Sequence, residues 1–170
     1  FLVKRFDRDG QQRIHFSSAM TMLGKKDGAN ATDGSSYLEI VSFLKANGAK
    51  PRDDVQELWK RIVFSMAVSN TDHHFRNHGF ILSHDGWELS PLYDVNPDIY
   101  GEYLSLNVDA DDSSIDFELA VQAAPYYGIE KKYAVQEVDK IKNVVGDHWK
   151  QLAKKYGISR GEIERMSPAF

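Results

Sequence analysis

NTDHHFRNHGFILSHDGWELSPLYDV, residues 70–95, sets Asp72, His73, His74, Asn77, His78 and Asp94 among residues that belong in a core. Phe75, Phe80 and Ile81 press the loop inward. An acid carried in with them costs several kcal/mol unless it is paired or binds a metal. GFIL (79–82) and WEL (87–89) read as short strands around Ser83-His84-Asp85-Gly86, because Asp-Gly favours the tight turn of a hairpin. The stretch is thus a polar loop, a hairpin, and a second acid beyond it.

Three chemistries compete for that pattern. Asp72 and Asn77 are five positions apart, and Asp94 lies 22 beyond Asp72, past the hairpin. Phosphoryl transfer uses this layout. One Asp takes the proton of the attacking hydroxyl, while an Asn further along the loop and an Asp past a hairpin hold Mg²⁺ against nucleotide phosphates. Mg²⁺ asks for hard oxygens in octahedral geometry, few of them from protein. A hairpin between two such ligands brings them to one side of a cleft. Arg76, inside the loop, is placed to neutralise charge on the transferred group. The D-x-x-x-x-N spacing alone recurs by chance; the hairpin and the spaced acid make it specific.

The second chemistry is a histidine metal site, since His74 and His78 are four apart and would share a face on a helix. Gly79 and the strand-like GFIL argue against a helix there. The Asp72-His73-His74 triplet also matches phosphoesterases that carry Asp-His-His, but those need further Asp motifs on a parallel sheet, which this chain does not show. The third reading is a plain solvated loop: Asp72 as a local cap, solvated histidines, and Asp94 in a turn after Tyr93.

PRDDVQELWKRIVFSMAVSN (51–70) leads into the loop as the strongest helix of the first half. Val55, Leu58, Trp59, Ile62, Val63 and Met66 form one apolar stripe, with Asp53 and Gln56 as its expected N-terminal cap. SSYLEIVSFLKANG (35–48) is a second helix that stops at Asn47-Gly48. FLVKRF (1–6) is strand-like, the turn-rich DRDGQQR follows, and IHFSSAMTMLG (14–24) reads as a strand and then a helix. GKKDGANATDG (24–34) is a loop. Beyond the hairpin the chain is helical: SSIDFELAVQAAPYYG (113–128), then a long helix with the stripe Val135, Val138, Ile141, Val145, Trp149 and Leu152. Ser159 and Glu162 make a capping box for a last helix. Trp59 and Trp149 are expected in the core and Trp87 beneath the hairpin, with His15, His84 and His148 as plain polar residues.

Composition bounds the function. The 170 residues are enough for one domain with a full core, 42% hydrophobic and 27% charged, at net charge −4. No basic field favours direct nucleic-acid binding. The absence of cysteine excludes disulfides and thiolate metal sites and fits a reducing compartment. No apolar run has the length of a membrane span, and FLVKRFDRDG is not expected to be a signal peptide.

NTDHHFRNHGFIL (70–82) and WELSPLYDVNP (87–97) carry a resemblance to a known family, the HipA-like serine/threonine kinases, which are the toxin halves of bacterial toxin–antitoxin pairs. KRFDR (4–8) is similar to that family's hinge, and SLNVDADDSSIDFELAVQAAPYYGI (105–129) and ISRGEIERMSPAF (158–170) to its C-terminal helices, so the resemblance covers nearly the whole chain. It implies a mainly α, protein-kinase-like C-terminal lobe over 1–170, with a small β-hairpin carrying the catalytic and metal segment. Asp72 would be the general base, and Asn77 and Asp94 would hold Mg²⁺. His74, Arg76 and Tyr93 would line the ATP site. Lys4, Arg5 and Phe6 would receive adenine, largely through backbone groups, with Asp7 reaching the ribose or fixing the hinge. Phe6 reads equally as a core residue, and Arg76 as a surface charge. The implied partners are a protein substrate and a small DNA-binding, HipB-like antitoxin, in the cytoplasm. Two positions depart from the family: Lys4 stands where some members have an acid, and His73 where many have Asp or a small residue.

Kinases of that family also carry an N-terminal lobe with a phosphate-covering loop and a phosphate-binding lysine. No glycine-rich strand-loop-strand and no V-A-I-K-like strand precedes FLVKRF. The expectation is a C-terminal lobe, with residues 1–8 as a hinge-like strand and no N-terminal lobe, poorly active or inactive by itself. A different class stays open: a non-catalytic module that docks an antitoxin or another partner, its acids remnants. The intact trio Asp72, Asn77 and Asp94 favours the catalytic reading.

Overall fold

The computed structural model describes residues 4–170; Phe1–Val3, the start of the expected hinge strand, lie outside the described residues. In chain order they form β1 (Arg8–Asp9), β2 (Gln12–Arg13), β3 (Phe16–Ser18), α1 (Ala19–Met22), α2 (Tyr37–Asn47), α3 (Pro51–Ala67), β4 (Gly79–Leu82), β5 (Trp87–Leu89), α4 (Phe117–Ala123), α5 (Lys131–Lys155) and α6 (Arg160–Met166). Short 3₁₀ turns lie at Ala31–Asp33, Phe75–Asn77, Ala124–Tyr127 and Ser167–Ala169. Helices dominate, as the periodicity predicts.

α3 is the axis of the core. All six stripe residues, Val55 to Met66, are buried, and Trp59 donates its indole N–H to the Ala120 carbonyl at 2.9 Å. Each such side chain contributes about 1.5–3 kcal/mol by leaving water. α2 packs beside it through Tyr37, Ile40, Val41 and Leu44, and α4 and α5 close the other side. The cap of α3 differs from expectation. Pro51 occupies the first turn, where its missing N–H is no loss, and no side chain caps the end. Asp53 and Gln56 are not used for it. Asp54 instead accepts the Leu89 N–H at 3.0 Å, fastening the helix to β5. Partial burial is the main cause that raises the Asp54 carboxyl above its ordinary range.

The expected hairpin exists and gains a third strand. β3, β4 and β5 form an antiparallel sheet in that order, with Ser18 opposite Gly79 and Phe80 opposite Leu89. Gly79 is dictated by packing: a Cβ there would sit 2.2 Å from the Phe16 ring. Lys4–Phe6 is not a strand; the first pairing is β1 with β2 across a Gly10 turn. Trp87 is half-buried against His15 and Phe43 rather than beneath the sheet alone.

Two helices end differently from their patterns. α4 starts at its Asp116 cap and stops at Ala123, because Pro125 forces a 3₁₀ turn that Gly128 closes. In α5 the buried face is Ala134, Glu137 and Val138, continued by half-buried Ile141, Val145 and Trp149, while Val135 and Leu152 are exposed. The 25-residue helix outruns the core, so its second half keeps an apolar period with less to pack against. Trp149 consequently stacks on Phe170 (4.3 Å, 9° between planes) outside the main core. The Ser159–Glu162 capping box of α6 is formed as expected.

Candidate active site

Residues 69–77 leave the end of α3 as a loop whose backbone is fixed before its side chains act. Ser69 takes a left-handed φ of 47°, and the buried Asn70 donates its N–H to the Ser65 carbonyl at 2.7 Å. Phe75, fully buried, plugs the loop into the core, and the ammonium of Lys25 lies 5.5 Å from its ring centroid. With that plug seated, Asp72 points outward, its side chain 64% exposed. The buried Asn77 donates its amide N–H to the Asp72 carbonyl at 2.6 Å. That bond commits Nδ2 and leaves Oδ1 as the free oxygen. His74 Nε2 is 3.4 Å from the Asp72 carboxylate and 3.3 Å from a guanidinium nitrogen of Arg76. Arg76 also pairs with Asp27.

The burden of burial falls on the histidines, not on the acids. His73 and His78 are buried with ring centroids 4.1 Å apart, while Asp72 and Asp94 are exposed. The Tyr37 hydroxyl lies 2.9 Å from His73 Nδ1 and 3.1 Å from its carbonyl oxygen. A single hydroxyl proton given to the carbonyl leaves Nδ1–H to donate back, so Nε2 of His73 is bare, without a partner among the described residues. Desolvation, first among the causes, holds His73 well below the ordinary imidazole value and His78 at about 3. Both are neutral packing elements. The solvated-histidine reading fails for them, and so does the helical metal site: Phe75–Asn77 is a 3₁₀ turn, and no cluster of three or more His, Asp or Glu side chains suited to a metal occurs among the described residues.

The segment after β5 is laced onto this loop. The Tyr93 hydroxyl donates to the Arg76 carbonyl at 2.6 Å, tying the residue before Asp94 to the residue before Asn77. Asn70 Oδ1 accepts from the Asn96 N–H (3.3 Å), the Ser69 carbonyl from the Asp98 N–H (3.0 Å), and Asp98 accepts from the Thr71 hydroxyl (3.0 Å). Gly101 lets the turn close over Thr71, since a Cβ there would meet the Thr71 methyl at 2.0 Å. Asp94 itself is exposed and left-handed at φ 55°, a conformation Asp tolerates better than most residues. One of its oxygens accepts from Asn96 Nδ2 at 3.0 Å; the other is free among the described residues. Burial, aided by Asp94, pushes the Tyr93 phenol up to about 12.

Lys4, Arg5, Phe6 and Asp7 line a cavity of about 290 Å³ with Phe16 and Tyr93. Phe6 packs edge-on to Phe16 (5.5 Å) and tilted to Tyr93 (5.8 Å), so it is a wall of this cavity rather than part of the main core. Arg5 and Asp7 form a bidentate pair, which holds the Asp7 carboxyl below its usual range. Tyr93 therefore belongs to both halves: it lines the cavity and anchors the Asp94 segment. The structure brings the ten singled-out residues into two adjoining groups joined by that side chain. Phe16, Asp27, Asn70 and Asn96 join them unannounced. Phe16 has a signal in its strand alternation; Asp27 has none, lying 49 positions from the arginine it meets.

Comparisons with known proteins place this geometry in a family. The model of the HipA-like C-terminal domain matches residues 1–167. A candidate kinase of Haemophilus influenzae is 33% identical over 101 residues, covering 55% of this chain and 29% of that protein. The serine/threonine-protein kinase toxin HipA of Shewanella oneidensis is 32% identical over 120 residues, 59% of this chain and 28% of that protein. In a solved complex of Shewanella oneidensis HipA with HipB and operator DNA, one chain superposes with a TM-score of 0.69 over 81% of this chain and 38% of its own length. At 21% identity that likeness is one of fold. The chain spans well under half the length of these relatives. Since one family model accounts for nearly all of its residues, the chain belongs to the HipA-like C-terminal domain family.

Proposed function

We propose that this domain supplies the catalytic loop and metal segment of a serine/threonine protein kinase, moving the γ-phosphoryl group of ATP to a protein hydroxyl. The observation that carries the reading is the Tyr93–Arg76 hydrogen bond, which joins the Asp94 segment to the Asp72–Asn77 loop. Family membership and the kinase names of the relatives support it.

The donor set suits Mg²⁺. Asn77 keeps Oδ1 free because Nδ2 is committed, and Asp94 keeps one carboxylate oxygen free on an exposed turn. Both are hard oxygens, and a nucleotide-bound Mg²⁺ takes only one or two from protein. When bound, the ion neutralises charge on the phosphate oxygens. The residues of the chain do the rest. Asp72, exposed at the mouth of the loop, accepts the proton of the substrate hydroxyl as its oxygen attacks the γ-phosphorus. The bond to the bridging oxygen breaks, and ADP leaves with the electron pair. Arg76 and His74 face the phosphates, and the Phe6–Phe16–Tyr93 cavity takes the adenine beside the backbone of Lys4–Phe6, with Asp7 beside the ribose. In the cell the protein would act in the cytoplasm as the toxin of a toxin–antitoxin pair, partnered by a small DNA-binding, HipB-like antitoxin. Among the described residues no helix is long and apolar enough to cross a membrane.

Asp72→Asn tests the base directly, in the longest natural polypeptide that carries this domain. ATP affinity should stay within about threefold, while transfer to protein falls by about 10²–10⁴, the range a general base supplies. Transfer at the wild-type rate would remove Asp72 from that role and favour a docking module.

A further inference from the structure

The loop between α1 and the Ala31–Asp33 turn is polar, exposed and remote in sequence from the catalytic loop, yet it touches that loop twice. Lys25 lies over the buried Phe75 ring at 5.5 Å while pairing with Glu39 at 2.7 Å. Asp27 pairs with Arg76, the next residue along. Neither contact is left to a free loop. The Asp27 oxygen that meets Arg76 also accepts the Gly28 N–H at 3.1 Å, which sets its direction. Asn30 closes the turn behind it onto the Gly28 carbonyl at 2.9 Å. Ala31 donates its N–H to the Ser105 carbonyl at 2.8 Å, and the Ser105 hydroxyl donates to the carbonyl of Thr71 at 2.7 Å, one residue before Asp72. The loop thus meets the catalytic loop directly at Phe75 and Arg76 and, through Ser105, at Thr71.

The charges explain why. Arg76 stands 3.3 Å from His74 Nε2, and that same nitrogen stands 3.4 Å from the Asp72 carboxylate. Released from Asp27, the guanidinium would have the exposed Asp72 carboxylate just beyond His74 as its next anion, and pairing there would occupy the proton acceptor. Asp27 pairs with the other terminal nitrogen of Arg76, Nη1, while Nη2 is the one near His74.

Resting on the kinase reading above, we infer that Asp27 is a positioning residue for phosphoryl transfer: it holds Arg76 away from Asp72 and so keeps the base open to the substrate hydroxyl. Asp27 touches neither nucleotide nor acceptor. An exposed ion pair of this kind contributes little to stability. A purely structural pair would therefore leave the kinetics untouched.

The test is steady-state transfer with ATP and protein substrate by the longest natural polypeptide carrying the domain, as wild type, Asp27→Asn and Asp27→Glu. Thermal melts should coincide. Asp27→Asn should lower kcat about tenfold, short of the roughly hundredfold that a displaced reacting geometry can cost, with KM for ATP within twofold. Asp27→Glu, which keeps the charge, should recover most of the loss. Unchanged kcat in Asp27→Asn, or a loss that Asp27→Glu does not recover, overturns the positioning role and leaves the kinase reading intact. A wild type that neither binds ATP with Mg²⁺ nor transfers phosphate overturns both.

Discussion

His73 and His78 show how a residue can serve a site without meeting its ligand. Their rings pack 4.1 Å apart, tilted by 52°, beneath the loop, neutral, and the Tyr37 hydroxyl reaches the first of them. The unfolded chain protonates them near 6.5, whereas in the folded protein His78 holds off protonation to about 3 and His73 is also strongly depressed. Between those values the unfolded state binds more protons, so stability is complete above about pH 6.5 and drains away as pH falls. From pH 7 to pH 5, His78 alone should remove about 2 kcal/mol, with a further loss from His73. Urea unfolding across that range measures it. His78→Phe should flatten the profile whatever it does to absolute stability; an unaltered slope in that variant would place the proton uptake elsewhere. The sequence did reveal that this loop was anchored, through Phe75 and Phe80. It did not reveal which polar groups went in with them, because burial of a histidine depends on a distant tyrosine.

At the scale of elements, the sheet sets the spacing between the loop and the Asp94 segment. Its register depends on Gly79, where the Phe16 ring fills the space a side chain would need. Gly79→Ala should force that ring aside and cost about 1–3 kcal/mol, as overpacking does. Phe16 also walls the Lys4–Asp7 cavity, so ATP affinity should fall with it. A melt within error of wild type would show that the ring moves freely. The hairpin was legible from Asp85-Gly86 and its flanking apolar runs, and α2, α3 and the α6 cap from period and capping residues. The third strand was not, since pairing Phe16–Ser18 with Gly79–Leu82 is a long-range choice. Nor was the true inner face of α5, where Ala134 and Glu137 replace Val135 because period alone does not say how far the core extends.

Across the whole molecule, the core is built mostly from residues remote from the candidate site, which forms a rim on it. Tyr93 joins that rim to the Asp72–Asn77 loop, Asn96 and Asp98 join it to the residues just after α3, and Ser105 and Asn107 join it to the loop before α2. The ten residues singled out in the sequence all lie within the described residues, and the chain spans well under half of its relatives' length. We propose that Asn77 and Asp94 form a preset Mg²⁺-nucleotide site. Isothermal titration of this chain with ATP, with and without Mg²⁺, alongside Asp94→Ala, decides the matter. Binding that requires Mg²⁺ and is lost in Asp94→Ala is the predicted result; binding indifferent to both, or none under any condition, would contradict it.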